Sequence, residues 1–203
     1  MDLKKILPLF SYVFHPVFIS LYATFFYFVA SGMYVYQSQF LLTLIQVGIL
    51  TMLLPISLYF LFISLGIVQS FTEANLKERK LPIVFQAILF FILIKFSASF
   101  NSHPELYYFF LGGFFSALLA FIAVLLQFKA SLHMIGICSL ATFIYGLCWH
   151  LELDFIYSIG FIITMIGFVA SSRLYMKSHT PIELLIGSII GVFTQVVFWH
   201  FWL

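Results

Sequence analysis

Charged side chains are scarce in this chain. Lysine and arginine number 9, aspartate and glutamate number 7, and together they make up 8% of the 203 residues, whereas about 25% is usual in a soluble domain. A water-soluble globular protein, a disordered chain and a nucleic-acid-binding module all need more charge than this, so we exclude these classes. Because 64% of the residues are hydrophobic and the mean hydropathy is +1.14, we predict an integral membrane protein.

Cysteine and aspartate are also rare. Cys138 and Cys148 both lie in apolar runs, and we expect packed helix residues there rather than a disulfide or a metal pair. Asp2 and Asp154 are the only aspartates, which excludes a prenyltransferase built on Asp-rich metal motifs. The carboxylate pairs of glycoside hydrolases are absent too. Without a linker rich in Gly, Ser or Pro, we expect a single membrane domain over residues 1–203.

Long apolar stretches make up most of the chain. A membrane-crossing helix needs about 20 such residues, and seven stretches approach this length, at 10–32, 40–69, 83–99, 107–128, 133–150, 154–171 and 181–203. They do not alternate as barrel strands do, so we predict an all-α polytopic transmembrane bundle of about 6–7 spans. Pro8 and Pro16 interrupt the first stretch, and its beginning could lie along the interface. Gly187 and Gly191 form a small-xxx-small pair suited to close helix packing.

The basic residues fall at one end of the predicted bundle. With seven spans, the breaks at 70–82, 129–132 and 172–180 share the side of the N-terminus. Eight of the nine basic residues lie on that side: Lys4, Lys5, Lys77, Arg79, Lys80, Lys129, Arg173 and Lys177. The positive-inside rule would make this face cytoplasmic. The alternative is a cationic phosphate site, which we favour because His133 and His179 each follow a cation in one of these breaks.

Residues 171–183 contain the groups needed for nucleophilic attack on phosphorus. His179 and Glu183 are four residues apart, so on a helical path they share one face. The carboxylate can hold the Nδ1 proton and leave Nε2 free to attack. Arg173 offers a planar fork that matches phosphate oxygens. A helix that begins at Pro181 adds backbone N–H donors for an anion.

The other two basic segments supply an acid and further cations. Ser131 is a candidate N-cap, and His133 follows it in the first turn, where a histidine could protonate a leaving alkoxide. Lys77, Arg79 and Lys80 would complete an electrostatic clamp around the transferred phosphoryl group.

The last of these segments resembles the signature of the type 2 phosphatidic acid phosphatase superfamily. That signature runs Lys, six residues, Arg-Pro; then Pro-Ser-Gly-His; then Ser-Arg, five residues, His, three residues, Asp. Ser172-Arg173, five residues, His179, three residues and Glu183 match the third part, with Glu in place of Asp.

The other two parts of the signature depart further. Ser131 and His133 keep the Ser and His of the second part without its Pro and Gly. In the first part Arg79 stands three residues before Pro82 instead of next to it, and either neighbouring lysine could replace the missing one. The resemblance extends over about residues 70–190.

The resemblance implies a lipid phosphate phosphatase that hydrolyses a phosphomonoester or a pyrophosphate through a phosphohistidine, without a metal or cofactor. His179 would be the nucleophile, Glu183 would orient it, and His133 would protonate the leaving group. The implied phosphate ligands are Arg173, Arg79 and Ser131, with Lys77 or Lys80 beside them. The implied location is a bacterial inner membrane, with the site on the outer face. The expected partners are the lipid phosphate substrate and membrane lipids, and no nucleic acid.

Two other classes remain open from the sequence. In one, His133, His179 and Glu183 bind a divalent metal, as histidine and carboxylate ligands can, and the protein is a metal-dependent membrane hydrolase. In the other, the protein is a non-catalytic relative that acts as a structural or binding protein of the membrane. Activity in the presence of a chelator separates these classes from the metal-free phosphatase.

Overall fold

The structure, a computed structural model, describes residues 3–32, 37–68, 76–97, 100 and 102–203, and in this part of the chain it contains helices joined by turns and loops, with no strand. The helices are α1 (Leu3–Val13), α2 (Pro16–Ala30), α3 (Gln37–Gly48), α4 (Leu54–Ser64), α5 (Leu76–Phe96), α6 (Pro104–Leu125), α7 (Leu132–His150), α8 (Ile156–Tyr175) and α9 (Pro181–Trp199). A π-helical turn, Ile49–Leu53, joins α3 to α4 without a break. The predicted all-α class is confirmed.

Within the described residues, five helices are long and apolar enough to cross a membrane. They are the continuous α3–α4 segment, α6, α7, α8 and α9, and a sixth span forms if α1 and α2, bent by 64°, count as one. This agrees with a multi-pass membrane protein at the lower end of the predicted count. The third predicted stretch belongs to α5, which is not among the five. Helix α5 begins at Leu76, whereas the predicted stretch began at residue 83, and α5 carries Arg79 and Lys80 in its first two turns.

Helix α7 is the centre of the bundle, since 67% of its span is buried, compared with 22–33% for the other four spans. It packs against α2, α6, α8 and α9. Cys138 and Cys148 are free and buried in it, as expected. Gly187 and Gly191 lie on α9, which packs against α7. A Cβ added to Gly187 would lie 2.7 Å from the Ser131 carbonyl oxygen, and one added to Gly191 would collide with the Ile135 carbonyl. The predicted close approach at the glycine pair is therefore present.

Helix α1 packs on α8 beside the start of α7. Its Ser11 hydroxyl lies 2.6 Å from the Ser172 hydroxyl of α8, and both side chains are buried. The chain then bends sharply before α2, which begins at Pro16 after an extended His15. This bend places residues of the first predicted stretch at the basic end of α7 and α8.

Candidate active site

The loop from α8 to α9 is fixed by the sequence around Pro181. Thr180 is the N-cap of α9, and its Oγ1 accepts a hydrogen bond from the Glu183 N–H at 3.3 Å. Glu183 Oε2 in turn accepts from the Thr180 N–H at 3.0 Å, which completes a capping box. The same oxygen accepts the Nδ1–H of His179 at 2.9 Å. One carboxylate thus caps the helix and orients the histidine.

His179 is held in a single tautomer by this contact. A carboxylate can only accept, so Nδ1 bears the proton and Nε2 of the neutral ring is unprotonated. His179 is 7% exposed as a residue, and its side chain lines a cavity between the helices. Burial and the nearby Arg79 charge lower the pKa of His179 to about 4. The imidazole is therefore neutral, and nucleophilic at Nε2, at ordinary pH.

His133 lies in the first turn of α7 and lines the same cavity as His179. Its Nε2 is 3.1 Å from the backbone carbonyl oxygen of Ser11 on α1. A carbonyl cannot donate, so Nε2 bears a proton, and Nδ1 is the nitrogen left to exchange one. Helix α1 therefore orients the histidine for which the sequence predicted an acid role.

Two arginines from different helices meet at this cavity. Arg79 comes from α5 and Arg173 from α8, and both line it. Arg173 is 8% exposed, and its buried Nε has no hydrogen-bond partner among the described residues. One of its terminal nitrogens reaches only the Met176 sulfur, at 4.0 Å. A buried guanidinium is costly unless its donors are paired, and the unused Nε–H of Arg173 is a donor that an anion could accept from.

Ser131 adds a second buried group without a partner. It occupies the N-cap position of α7, as predicted, but its side chain makes no capping bond. The residue is fully buried, and its Oγ has no hydrogen-bond partner in the described part of the chain. Its backbone N–H donates to the Glu183 carbonyl at 3.1 Å. The hydroxyl is thus held next to the first turn of α9 with its own hydrogen-bonding capacity unused.

The structure brings six of the eight predicted site residues together. His133, His179, Arg79 and Arg173 line the cavity, whereas Glu183 and Ser131 do not line it. They are linked to it through Glu183, which bonds His179 by its side chain and Ser131 by its backbone. Lys80 follows Arg79 on α5 but does not line the cavity. The Lys77 side chain lies outside the described residues.

Two residues of α1 and the bend after it were missed by sequence reasoning. The Ser11 carbonyl bonds His133, and His15, to which the sequence assigned no role in the site, also lines the cavity. The rings of His15 and His133 meet edge to face with centroids 5.0 Å apart. The one local signal was the His15-Pro16 step that interrupts the first apolar stretch.

The cavity has a volume of about 690 Å³ and leads from the basic end into the bundle. Beyond the arginines and histidines, α5 and α6 line it mainly with apolar side chains, down to Phe90, Phe110 and Gly113. From Arg79 to Phe90 the rise along α5 is about 16 Å at 1.5 Å per residue. The cavity therefore joins a cationic end to an apolar interior.

A second buried polar cluster lies away from this cavity. The Tyr27 hydroxyl contacts His103 Nδ1 and Glu105 Oε2, each at 3.1 Å. His150 Nε2 lies 3.7 Å from the other Glu105 oxygen. Among the described residues, no group of three or more His, Cys, Asp or Glu side chains is arranged to hold a metal ion.

No protein-family model matches this chain, and comparisons with curated proteins and with solved structures give no match either.

Proposed function

We propose that this protein is a membrane-embedded phosphatase that hydrolyses a lipid phosphate through a phosphohistidine on His179. The observation that carries the proposal is the unpaired, buried guanidinium nitrogen of Arg173 at the cavity that His179 lines. The neutral histidine, held at Nδ1 by Glu183, supplies the nucleophile. The proposed setting, taken from the resemblance to the phosphatidic acid phosphatases, is the outer face of a bacterial inner membrane.

In the first proposed step, His179 Nε2 attacks phosphorus and the bond from phosphorus to the leaving oxygen breaks. The Nδ1–H of His179 stays bonded to Glu183, which stabilises the positive ring as the P–N bond forms. The leaving oxygen takes a proton from cationic His133. The Ser11 carbonyl retains the Nε2–H, so Nδ1 gives the proton. A bound phosphate anion favours this charged form of His133.

In the second proposed step, a water molecule attacks the phosphorus of the phosphohistidine and the P–N bond breaks. His133 Nδ1, now unprotonated, takes a proton from the water. Inorganic phosphate leaves, and both histidines return to their initial states. Throughout, Arg79, Arg173 and the Ser131 hydroxyl would stabilise the charge on the equatorial oxygens.

The shape of the cavity supports a lipid as the substrate. Its apolar part runs about 16 Å from Arg79, roughly half of a hydrocarbon core of about 30 Å. A volume of about 690 Å³ lies within the usual range for small-molecule sites. A phosphate at the arginines with its apolar chain directed towards Phe90 and Phe110 would occupy both parts.

The proposal is tested by phosphate release from the detergent-solubilised full chain. Substrates are phosphatidate, phosphatidylglycerol phosphate and a polyprenyl pyrophosphate, each with EDTA present. We expect release that H179A abolishes and that H200A, at the far end of α9, leaves unchanged. Substrate labelled in the transferred phosphate should also label the wild-type chain transiently and leave H179A unlabelled.

Two outcomes would replace this proposal with an alternative from the sequence. Release that EDTA abolishes and a divalent cation restores would favour a metal-dependent hydrolase. No release from any of the lipid phosphates would favour a non-catalytic membrane protein.

A further inference from the structure

His15 is the N-cap of α2, at the bend that follows α1. Its Nδ1 accepts a hydrogen bond from the Val17 N–H at 3.5 Å. Because an amide only donates, Nδ1 is unprotonated and the neutral ring bears its proton on Nε2. The capping contact uses Nδ1 and therefore leaves Nε2–H as the one donor of the neutral His15 ring.

The His15 side chain lines the cavity in addition to capping α2. His15 lines it together with Arg173 and His133, and its ring meets that of His133 edge to face at 88°. Within the part of the chain that the structure describes, the hydrogen bond of the His15 side chain is the one at Nδ1, and its Nε2 makes none. Nε2 is thus a further unused donor, besides the buried Arg173 Nε and Ser131 Oγ.

We propose that His15 is a further phosphate-binding residue, which donates its Nε2–H to a phosphate oxygen held by Arg173. The inference rests on the proposed function, and it adds a ligand from outside the three motif segments. The α1–α2 bend would then contribute to the site, with Ser11 orienting His133 and His15 touching the phosphate.

A purely structural role for His15 predicts different behaviour and can be separated by substitution. If the ring serves only to cap α2, a serine should replace it, since serine is a good N-cap. H15S keeps a capping oxygen but is too short to reach a phosphate beside Arg173. H15D also keeps a strong cap, and its charge would repel the anion. H15A loses both contacts.

The experiment uses the full chain in detergent with two measurements for each variant. One is kcat/KM on the lipid phosphate that the wild type hydrolyses best, and the other is the increase of Tm with added inorganic phosphate. We expect H15S to keep the wild-type Tm without phosphate and to lose about tenfold to a hundredfold in kcat/KM, as for one hydrogen bond to a charged group. H15S should also need a higher concentration of inorganic phosphate than the wild type to reach half of its maximum Tm increase. H15D should lose more, and H200S should match the wild type.

The two measurements separate failure of this inference from failure of the proposed function. Wild-type kcat/KM and phosphate response in both H15S and H15D would overturn the role of His15 while the phosphatase stands. A wild-type protein that hydrolyses no lipid phosphate, but is stabilised by inorganic phosphate in a His15-dependent way, would overturn the phosphatase and support the ligand. Neither hydrolysis nor stabilisation in the wild type would overturn both.

Discussion

The backbone N–H of Ser131 donates to the backbone carbonyl of Glu183 over 3.1 Å. This bond joins the N-terminus of α7, which carries the proposed acid His133, to the first turn of α9, which follows the proposed nucleophile His179. One turn further on, Gly187 allows the two helices to approach this closely. The position of His133 relative to His179 therefore depends on helix packing as well as on the loops.

Substitution of Gly187 by alanine should disturb that contact. The added Cβ would lie 2.7 Å from the Ser131 carbonyl oxygen, a backbone atom that can move only with α7. We expect a loss of about 1–3 kcal/mol in the free energy of unfolding and a fall in phosphate release. Thermal unfolding and activity in detergent measure both.

The matched control for this prediction is Gly160 on α8, where an added Cβ meets nothing within 4 Å. G160A should be neutral or slightly stabilising, because alanine favours the helix by up to about 1 kcal/mol. Equal behaviour of G187A and G160A would show that the close α7–α9 approach has no effect on the site.

Glu183 should show separable effects on stability and on catalysis. E183Q retains an oxygen that can accept from both the Thr180 N–H and His179 Nδ1, but it has no charge to stabilise a positive ring. We expect a near-normal Tm and a fall in kcat of about tenfold or more, as for a charged hydrogen bond. E183A loses the capping box as well, and it should unfold more easily by about 1 kcal/mol. An E183Q enzyme as active as the wild type would contradict the proposed role of the carboxylate charge.

Ser131 should behave unlike an ordinary buried serine. Its hydroxyl has no partner among the described residues, so S131A removes a desolvated group without breaking a hydrogen bond. We expect unchanged or higher stability in the absence of ligand, by up to about 1 kcal/mol, together with weaker binding of inorganic phosphate and lower activity. Calorimetry with and without phosphate measures both effects. If S131A were clearly less stable and bound phosphate normally, the hydroxyl would be a structural group.

The sequence predicts the local parts of this molecule well. Composition was enough for the membrane class, and the long apolar stretches without alternation were enough for the helical fold. The pairing of His179 with Glu183 followed from a spacing of four residues at a helix start, since such a contact depends only on nearby backbone. The glycine pair on α9 likewise indicated the close contact with α7.

The parts that depend on distant contacts could not be predicted in this way. Nothing in the residues around Ser11 or His15 indicates that α1 lies on α8 and reaches His133, because that contact joins opposite ends of the chain. The lysine ligand shows a second limit. Neighbouring residues on a helix point about 100° apart, so Arg79 and Lys80 point in different directions. Arg79 lines the cavity and Lys80 does not, and the sequence, which left Lys77 and Lys80 both open as ligands, could not show this without the packing of α5.

The pH dependence of the reaction should reveal the electrostatic effect of Arg79. The proposed nucleophile is neutral His179, whose pKa is lowered from 6.5 to about 4 by burial and by the Arg79 charge. Activity should therefore persist as the pH falls to about 4 before protonation of Nε2 removes it. R79Q takes away a nearby positive charge, so the pKa of His179 should rise and the acid limb of kcat/KM should move to higher pH. Neutral His179 gives the free energy of unfolding a pH dependence in the same direction. Its contribution to stability is fully present above pH 6.5 and is lost as the pH falls through about 4. R79Q should raise the pKa of His179 in the folded protein and so bring it closer to 6.5.

The control that isolates charge from geometry is R79K. It keeps the positive charge but loses the planar fork that binds phosphate, so we expect a lower kcat/KM with the acid limb where the wild type has it. The quantity compared is the pH at which kcat/KM falls on the acid side, not the maximum value of kcat/KM. All three proteins are measured with the same substrate, so ionisation of the substrate affects each of them equally. Equal acid limbs in the wild type and R79Q would mean that Arg79 does not set the pKa of the nucleophile. In that case burial and the Arg173 charge would keep His179 neutral.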